Sequence, residues 1–195
     1  MDFLDKIKGF LLSPVETFGE TKEDSLGDAL IYFLPLLVIF AVLSGVVSFF
    51  TLSAVSSMMG QFMPFGMLGG GGFTALTIIN SIVSGFIGVF ILGIIFHIFV
   101  YIMGGRNGIG LTIKAVIYGY TPNLLLGWIP IVNFIAMIWT LILYVIGIRE
   151  YHEISTGKAA LAVLLPLILI IIFVTVIFSA LLLGMGGGPS SFMMP

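Results

Sequence analysis

The chain has no cysteine, which excludes disulfides and thiolate metal centres. It is also poor in charge. Seven residues are Lys or Arg and nine are Asp or Glu, 8% of 195, against about 25% in an ordinary soluble domain. With so few basic residues and a formal net charge of −2, no surface exists to neutralise phosphates, and nucleic acid is excluded as a partner. The deficit is concentrated: the 77 residues between Asp28 and Arg106 carry no charge. Hydrophobic residues make up 59% of the chain. A charge-free stretch of that length could not stay dissolved in water and suits a lipid bilayer. The opening Met1-Asp2-Phe3-Leu4-Asp5 has acids where a signal peptide has a basic region, so no cleavage is expected.

These features predict an all-α, polytopic membrane helical bundle. A bilayer core of about 30 Å needs about 20 helical residues. Three long apolar runs supply spans at residues 29–52, 74–103 and 158–183. Between Lys114 and Arg149 lie 34 uncharged residues broken by Gly127-Trp128-Ile129-Pro130. Gly and Pro end helices and Trp prefers the interface, so two short spans are read at 112–127 and 131–148, with a re-entrant hairpin as the alternative. Lys114 and Arg149 would then snorkel to the surface. Five transmembrane helices put the termini on opposite sides. Lys6, Lys8, Lys22, Arg106, Lys114, Arg149 and Lys158 all fall on one side, and residues 53–73, the 128–130 turn and the tail hold no basic residue. The N-terminus is therefore expected in the cytoplasm and the C-terminus outside a cell membrane. The chain divides into a cytoplasmic segment 1–25, a membrane domain 26–184 and a Gly- and Met-rich tail 185–195.

Two short helices precede the first span. Phe3, Ile7, Phe10 and Leu11 share a helical face, as in a helix lying on the membrane interface. Ser13-Pro14-Val15-Glu16 matches a capping box with Pro at the first helical position, opening a helix from Pro14 to about Lys22. Ser25, in the acidic link Glu23-Asp24-Ser25, is placed to cap the first span.

Groups able to do chemistry are scarce. His97 is the one titratable side chain expected inside the membrane, with Tyr101 on the same face. Arg149-Glu150-Tyr151-His152-Glu153 reads as a solvated loop without converging metal ligands. Met63, Met67 and Met185 are soft donors able to take Cu(I), but they lack close repeats and no external His or Cys assists them, so no metal or other cofactor is expected. Ser81 and Gly85, and Ser84 and Gly88, stand four apart and let helices approach closely, within the bundle or between copies. Asn80 needs a neighbouring helix or the external surface. The most distinctive stretch is Tyr118-Gly119-Tyr120-Thr121-Pro122-Asn123. Pro122 frees the carbonyl of Tyr118, and Thr121 and Asn123 offer hydrogen bonds, so this is a kinked packing element, a hinge or a cavity wall.

That stretch, with its Tyr-Gly-Tyr-Thr-Pro near the start of the third span, resembles the Gly-Tyr…Pro signature of the Yip family. Leu12-Ser13-Pro14-Val15-Glu16-Thr17-Phe18 looks like the opening motif of its prokaryotic members. His97 with Gly104-Gly105, Trp139 with Gly147, and Ser155-Thr156-Gly157-Lys158-Ala159 resemble later family features in the same order. The resemblance runs from about Phe10 to Leu183. It implies five spans, a cytoplasmic N-terminus and, as in eukaryotic members, roles in vesicle trafficking, membrane shaping and binding of Rab-type GTPases or sister proteins. With only about 25 residues before the first span, this chain looks like a short prokaryotic form. The expected function is a non-enzymatic scaffold that meets the lipid bilayer, other membrane proteins or further copies of itself in a homo-oligomer. The alternative is a small-solute or ion transporter or channel along the broken third span.

Overall fold

The computed structural model describes residues 1–59 and 71–186, and Met63 and Met67 lie outside these. The side chain of Met185 also falls outside the description. The described residues are helical, with no strand. They form α1 (Phe3–Leu12), α2 (Pro14–Glu20), a 3-10 turn (Thr21–Glu23), α3 (Leu26–Met59), α4 (Gly71–Ile102), α5 (Ile109–Gly119), α6 (Thr121–Leu126), α7 (Val132–His152) and α8 (Thr156–Gly186). Four helices are long and apolar enough to cross a membrane: residues 26–55, 74–102, 132–152 and 156–182. Their outward side chains suit lipid, such as Ile171, Phe173 and Phe178 on α8, all more than 60% exposed. The chain is a multi-pass membrane protein.

The expected third span is not one continuous helix. It is α5 and α6 joined through Tyr120, which remains near helical geometry. Helices of 11 and six residues reach about 16 and 9 Å, so neither crosses alone. The break has the expected cause, and Thr121 repairs it. Pro122 has no amide to give the carbonyl of Tyr118, and the Thr121 hydroxyl donates to that carbonyl instead, at 2.6 Å.

α5 is the central post. From Thr112 to Gly119 every residue is buried, as expected for a helix apolar on all sides. α3, α4 and α7 pack around it, and α8 rests on α4 and α7. The turn at 127–131 falls where Gly127-Trp128-Ile129-Pro130 placed it. Beyond it α7 continues through Arg149-Glu150-Tyr151-His152. That stretch is therefore not a solvated loop: Tyr151 and His152 are buried.

The two N-terminal helices cap the charged end of the bundle. The predicted face of α1 is correct, but its partner is protein rather than lipid. Phe10 is fully buried and stacks on Tyr118 with ring centroids 4.9 Å apart. Phe18 of α2 is also fully buried, meeting Phe10 at 4.9 Å and Tyr151 at 5.5 Å. Gly147 on α7 makes room for it: a Cβ there would lie 2.7 Å from the Phe18 ring. Ser13 makes no side-chain cap. Its carbonyl instead accepts from the Thr17 hydroxyl at 2.9 Å. Ser25 does cap α3, in a reciprocal pair with Asp28.

The cap's anchorage can be tested directly. Phe10→Ala should cost about 3 kcal/mol of docking and speed hydrogen exchange across residues 3–23 while sparing α5. Leu12→Ala, at an exposed position, should change exchange by less than about 0.5 kcal/mol.

Candidate functional site

The residues of the 118–122 motif point to different neighbours, and together they join the cap, α3 and α7 to the central post. Tyr118 is fully buried beneath the cap, and its hydroxyl donates to Asp24 Oδ2 at 2.5 Å. Gly119 lies against α7, where a Cβ would come 2.6 Å from the Tyr144 ring. Thr121 spends its one proton on the Tyr118 carbonyl, so Tyr32 of α3, 2.9 Å away, must donate to it. Pro122 is buried at the break, and Asn123 is partly buried, its carbonyl accepting from the Gly127 amide.

Beneath the cap lies a network that the expected topology did not anticipate. Lys114 does not snorkel to water. It is 3% exposed, and its ammonium donates to the carbonyls of Lys22 at 2.7 Å and Asp24 at 2.5 Å, with that of Thr21 at 3.4 Å. A cation among the free carbonyls at the end of a helical turn is favourably placed. Asp24 Oδ2 also accepts from Lys6 at 2.6 Å. Burial alone would raise the Asp24 carboxyl, but the hydrogen bonds from Lys6 and Tyr118 and the Lys6 charge outweigh it. They hold the group below its ordinary value of 3.8. Thr21 donates to the Thr17 carbonyl and accepts from Tyr151 at 2.8 Å. At the rim, Lys22 pairs with Glu153 at 2.5 Å.

His97 meets a neighbouring helix, with a second histidine behind it. Its Nδ1 lies 2.8 Å from Thr112 Oγ1, and the same oxygen lies 2.8 Å from His152 Nε2. The far nitrogen of His152 is buried without a partner. One hydroxyl between two imidazoles can donate to one and accept from the other, which orders both rings. Among the described residues no three His, Asp or Glu side chains converge on a metal position. Tyr101 turns outward, under the Arg106 guanidinium at 3.6 Å. Asn80 is exposed.

Ser81, Ser84, Gly85 and Gly88 come together with Tyr120 and Tyr144 around a cavity of about 300 Å³, with walls from α3, α4 and α7. Gly85 does serve packing, since a Cβ there would meet Leu37 of α3 at 2.6 Å. Gly88 instead faces open space. The residues considered for a solute pathway do not share one lumen. Tyr118 lies under the cap, Tyr120 borders this cavity, His97 bonds to Thr112 and Asn80 faces outward.

Lys114, Asp24, Lys6 and His152 are the residues that sequence reasoning missed. Lys114 carried the one usable signal, a cation within the first turn of an expected apolar span. A sequence cannot show that the carbonyls satisfying it come from residues about 90 positions away.

Two outcomes follow. Lys114→Met leaves buried carbonyls at Lys22 and Asp24 unsatisfied, at about 1–3 kcal/mol each, so limited proteolysis should open the 12–25 segment at least about tenfold faster. Because the Asp24 carboxyl is depressed, its stabilisation is complete above the unfolded value near 3.8 and disappears as pH falls through the lower folded value. Its contribution to docking, measured as the difference in exchange between the parent and Asp24→Asn, should stay constant from pH 7 to about 5 and vanish in stronger acid.

No curated protein and no solved structure matches the chain. The sequence model of the Yip1 domain matches residues 8–178, from the middle of α1 to well within α8. The chain therefore belongs to the Yip1 domain family.

Proposed function

We propose that this protein is a non-enzymatic membrane scaffold, with the cap as the surface that meets soluble partners. The observation that carries the reading is the direction in which its charges face. Lys6 and Lys114 turn inward to Asp24 and the backbone, and Lys22 is paired with Glu153. Asp2, Asp5, Glu16, Glu20 and Glu23 are exposed, against Lys8 alone among the cap's lysines. An acidic face is repelled by anionic headgroups and favours a basic protein partner. Family membership is consistent with a GTPase or a sister membrane protein in that position. Among the described residues no three His, Asp or Glu side chains gather, and His97 and His152 meet through the Thr112 hydroxyl.

In this reading α5 and α6 together make the fifth crossing, at about 27 Å for 18 residues. The cap lies in the cytoplasm, the C-terminus lies outside a cell membrane, and copies associate through their apolar helix faces. No observation favours a solute pathway.

The absence of cysteine makes single-cysteine labelling clean. In sealed, oriented vesicles Glu20→Cys and Ser155→Cys should react from one side and Ser190→Cys from the other. Ser155→Cys reacting from the side opposite to both Glu20→Cys and Ser190→Cys would leave four crossings, with none made by α5 and α6. Reconstitution at increasing protein density, with imaging and chemical crosslinking, tests the scaffold itself. Vesicles that keep their shape around a strict monomer would overturn it.

A further inference from the structure

The cations of the charged end divide into two groups. Lys6, Lys22 and Arg149 pair with Asp24, Glu153 and Glu150, and Lys114 is held by backbone carbonyls. Arg106 and Lys158 are exposed, and among the described residues neither meets a carboxylate. Lys8 is exposed too, but it shares the cap with the exposed Asp2, Asp5, Glu16, Glu20 and Glu23. Arg106 and Lys158 stand apart from those acids, on the loop that joins α4 to α5 and on the first turn of α8.

The loop holds both cations in place. The Gly105 amide donates to the Val100 carbonyl at 2.9 Å, and the Asn107 side-chain amide donates to the Tyr151 carbonyl at 2.8 Å. A Cβ at Gly105 would lie 2.5 Å from Val100, so the turn fits closely against the bundle. Lys158 reaches this loop from α8: its Nζ would lie 3.9 Å from a Cβ at Gly104. Gly104, left-handed at φ 99°, sets no side chain against it. Arg106 folds back along α4. Its guanidinium lies 3.6 Å over the Tyr101 ring, and Nη1 donates to the Tyr101 carbonyl at 2.5 Å, where the free carbonyls of a helix end favour a cation. Nε and Nη2 have no partner among the described residues. Together they form the edge of a guanidinium that matches two oxygens of a phosphate. The depth is fixed as well. Ile102 ends the apolar span of α4, and Ile98, Tyr101 and Ile102 are exposed on its surface. Arg106 therefore lies where a lipid-facing surface gives way to headgroups.

We infer that Arg106 and Lys158 bind the phosphate of an anionic lipid headgroup, with its acyl chain lying along Ile98 and Ile102. Charge complementarity and depth choose this occupant. Two unpaired cations on a fixed loop call for an anion, and the apolar surface below them calls for a chain attached to it. A soluble acidic peptide gains nothing from that surface, whereas a lipid meets both at once. A zwitterionic headgroup brings its own ammonium to the same place, so the preference is for one of net negative charge. The acids of the cap repel such a lipid, which leaves the edge between α4 and α8 as the side that attracts it.

The test uses the full cysteine-free chain carrying Ile98→Cys, labelled with a fluorophore and placed in phosphatidylcholine vesicles. Phosphatidylglycerol or phosphatidylcholine with a nitroxide high on its acyl chain, added at equal mole fraction, quenches the label only at short range. The relative affinity at Ile98 should favour phosphatidylglycerol by about tenfold or more, since each cation is worth about fivefold at an anionic headgroup. A label at Ile171→Cys, on α8, should be quenched alike by both lipids. Arg106→Gln or Lys158→Gln should each lower the preference about fivefold, and the two together should abolish it. Both positions are exposed, so quenching by phosphatidylcholine should not change. Equal quenching by the two lipids at Ile98, or a preference that survives the double substitution, overturns the inference. So does a carbodiimide crosslink from Lys158 to a cap acid of a second copy that persists in phosphatidylglycerol, because the cations would then belong to a contact between copies.

Discussion

The buried ammonium of Lys114 is the constraint around which the charged end is organised. A lysine facing apolar helices must reach water, lose its proton or find acceptors. Here it finds acceptors, and these are backbone carbonyls at the end of the N-terminal helices. The match is mutual. A helical turn ends in carbonyls without partners, and an ammonium has three donors and no acceptor. Separating cap from bundle would strand both sets at once. Asp24 adds a second link, since its carboxylate joins Lys6 of α1 to Tyr118 of α5 while its carbonyl receives Lys114. The cap is thus part of the membrane fold.

The broken post follows from the same need. A continuous helix through residues 109–127 would consume its own carbonyls and leave less for side chains to do. At Pro122 the ladder is interrupted, and the Thr121 hydroxyl takes the freed carbonyl and in turn receives Tyr32 from α3. Just before the break, Gly119 lets α7 approach closely enough for the Tyr144 ring to lie where a side chain would otherwise stand. The interruption therefore sits where cap, α3 and α7 converge, and each neighbour uses a different residue of the motif.

How much of this could be read beforehand depended on the range of the interaction. Long uncharged runs reveal spans because the bilayer selects for length and apolarity alone, and α3, α4 and α8 appear where those runs predict, α3 running on to Met59 and α4 stopping at Ile102. The carbonyl freed by Pro122 was legible because it is a local consequence of a missing amide. The apolar face of α1 was legible too, but its partner was not: lipid and protein core demand the same periodicity. The link from His97 through Thr112 to His152 joins residues up to 55 positions apart in three helices, and no spacing announces it. The helical continuation at 149–152 was hidden because charged residues resemble a loop when the cap that covers them is unknown.

Inward-facing lysines also alter what composition says about the outside. A net charge of −2 over 195 residues suggests a nearly neutral molecule. Yet Lys6 and Lys114 are turned inward, so on the cap itself Lys8 is the exposed lysine against the exposed Asp2, Asp5, Glu16, Glu20 and Glu23. Acids are retained there because water solvates them without a partner, whereas the bundle requires cations for its stranded carbonyls and for Asp24. The acidity of the cap surface is thus a consequence of how the bundle closes its charged end. A variant that freed Lys114 would both loosen the cap and neutralise part of its exposed acidic surface.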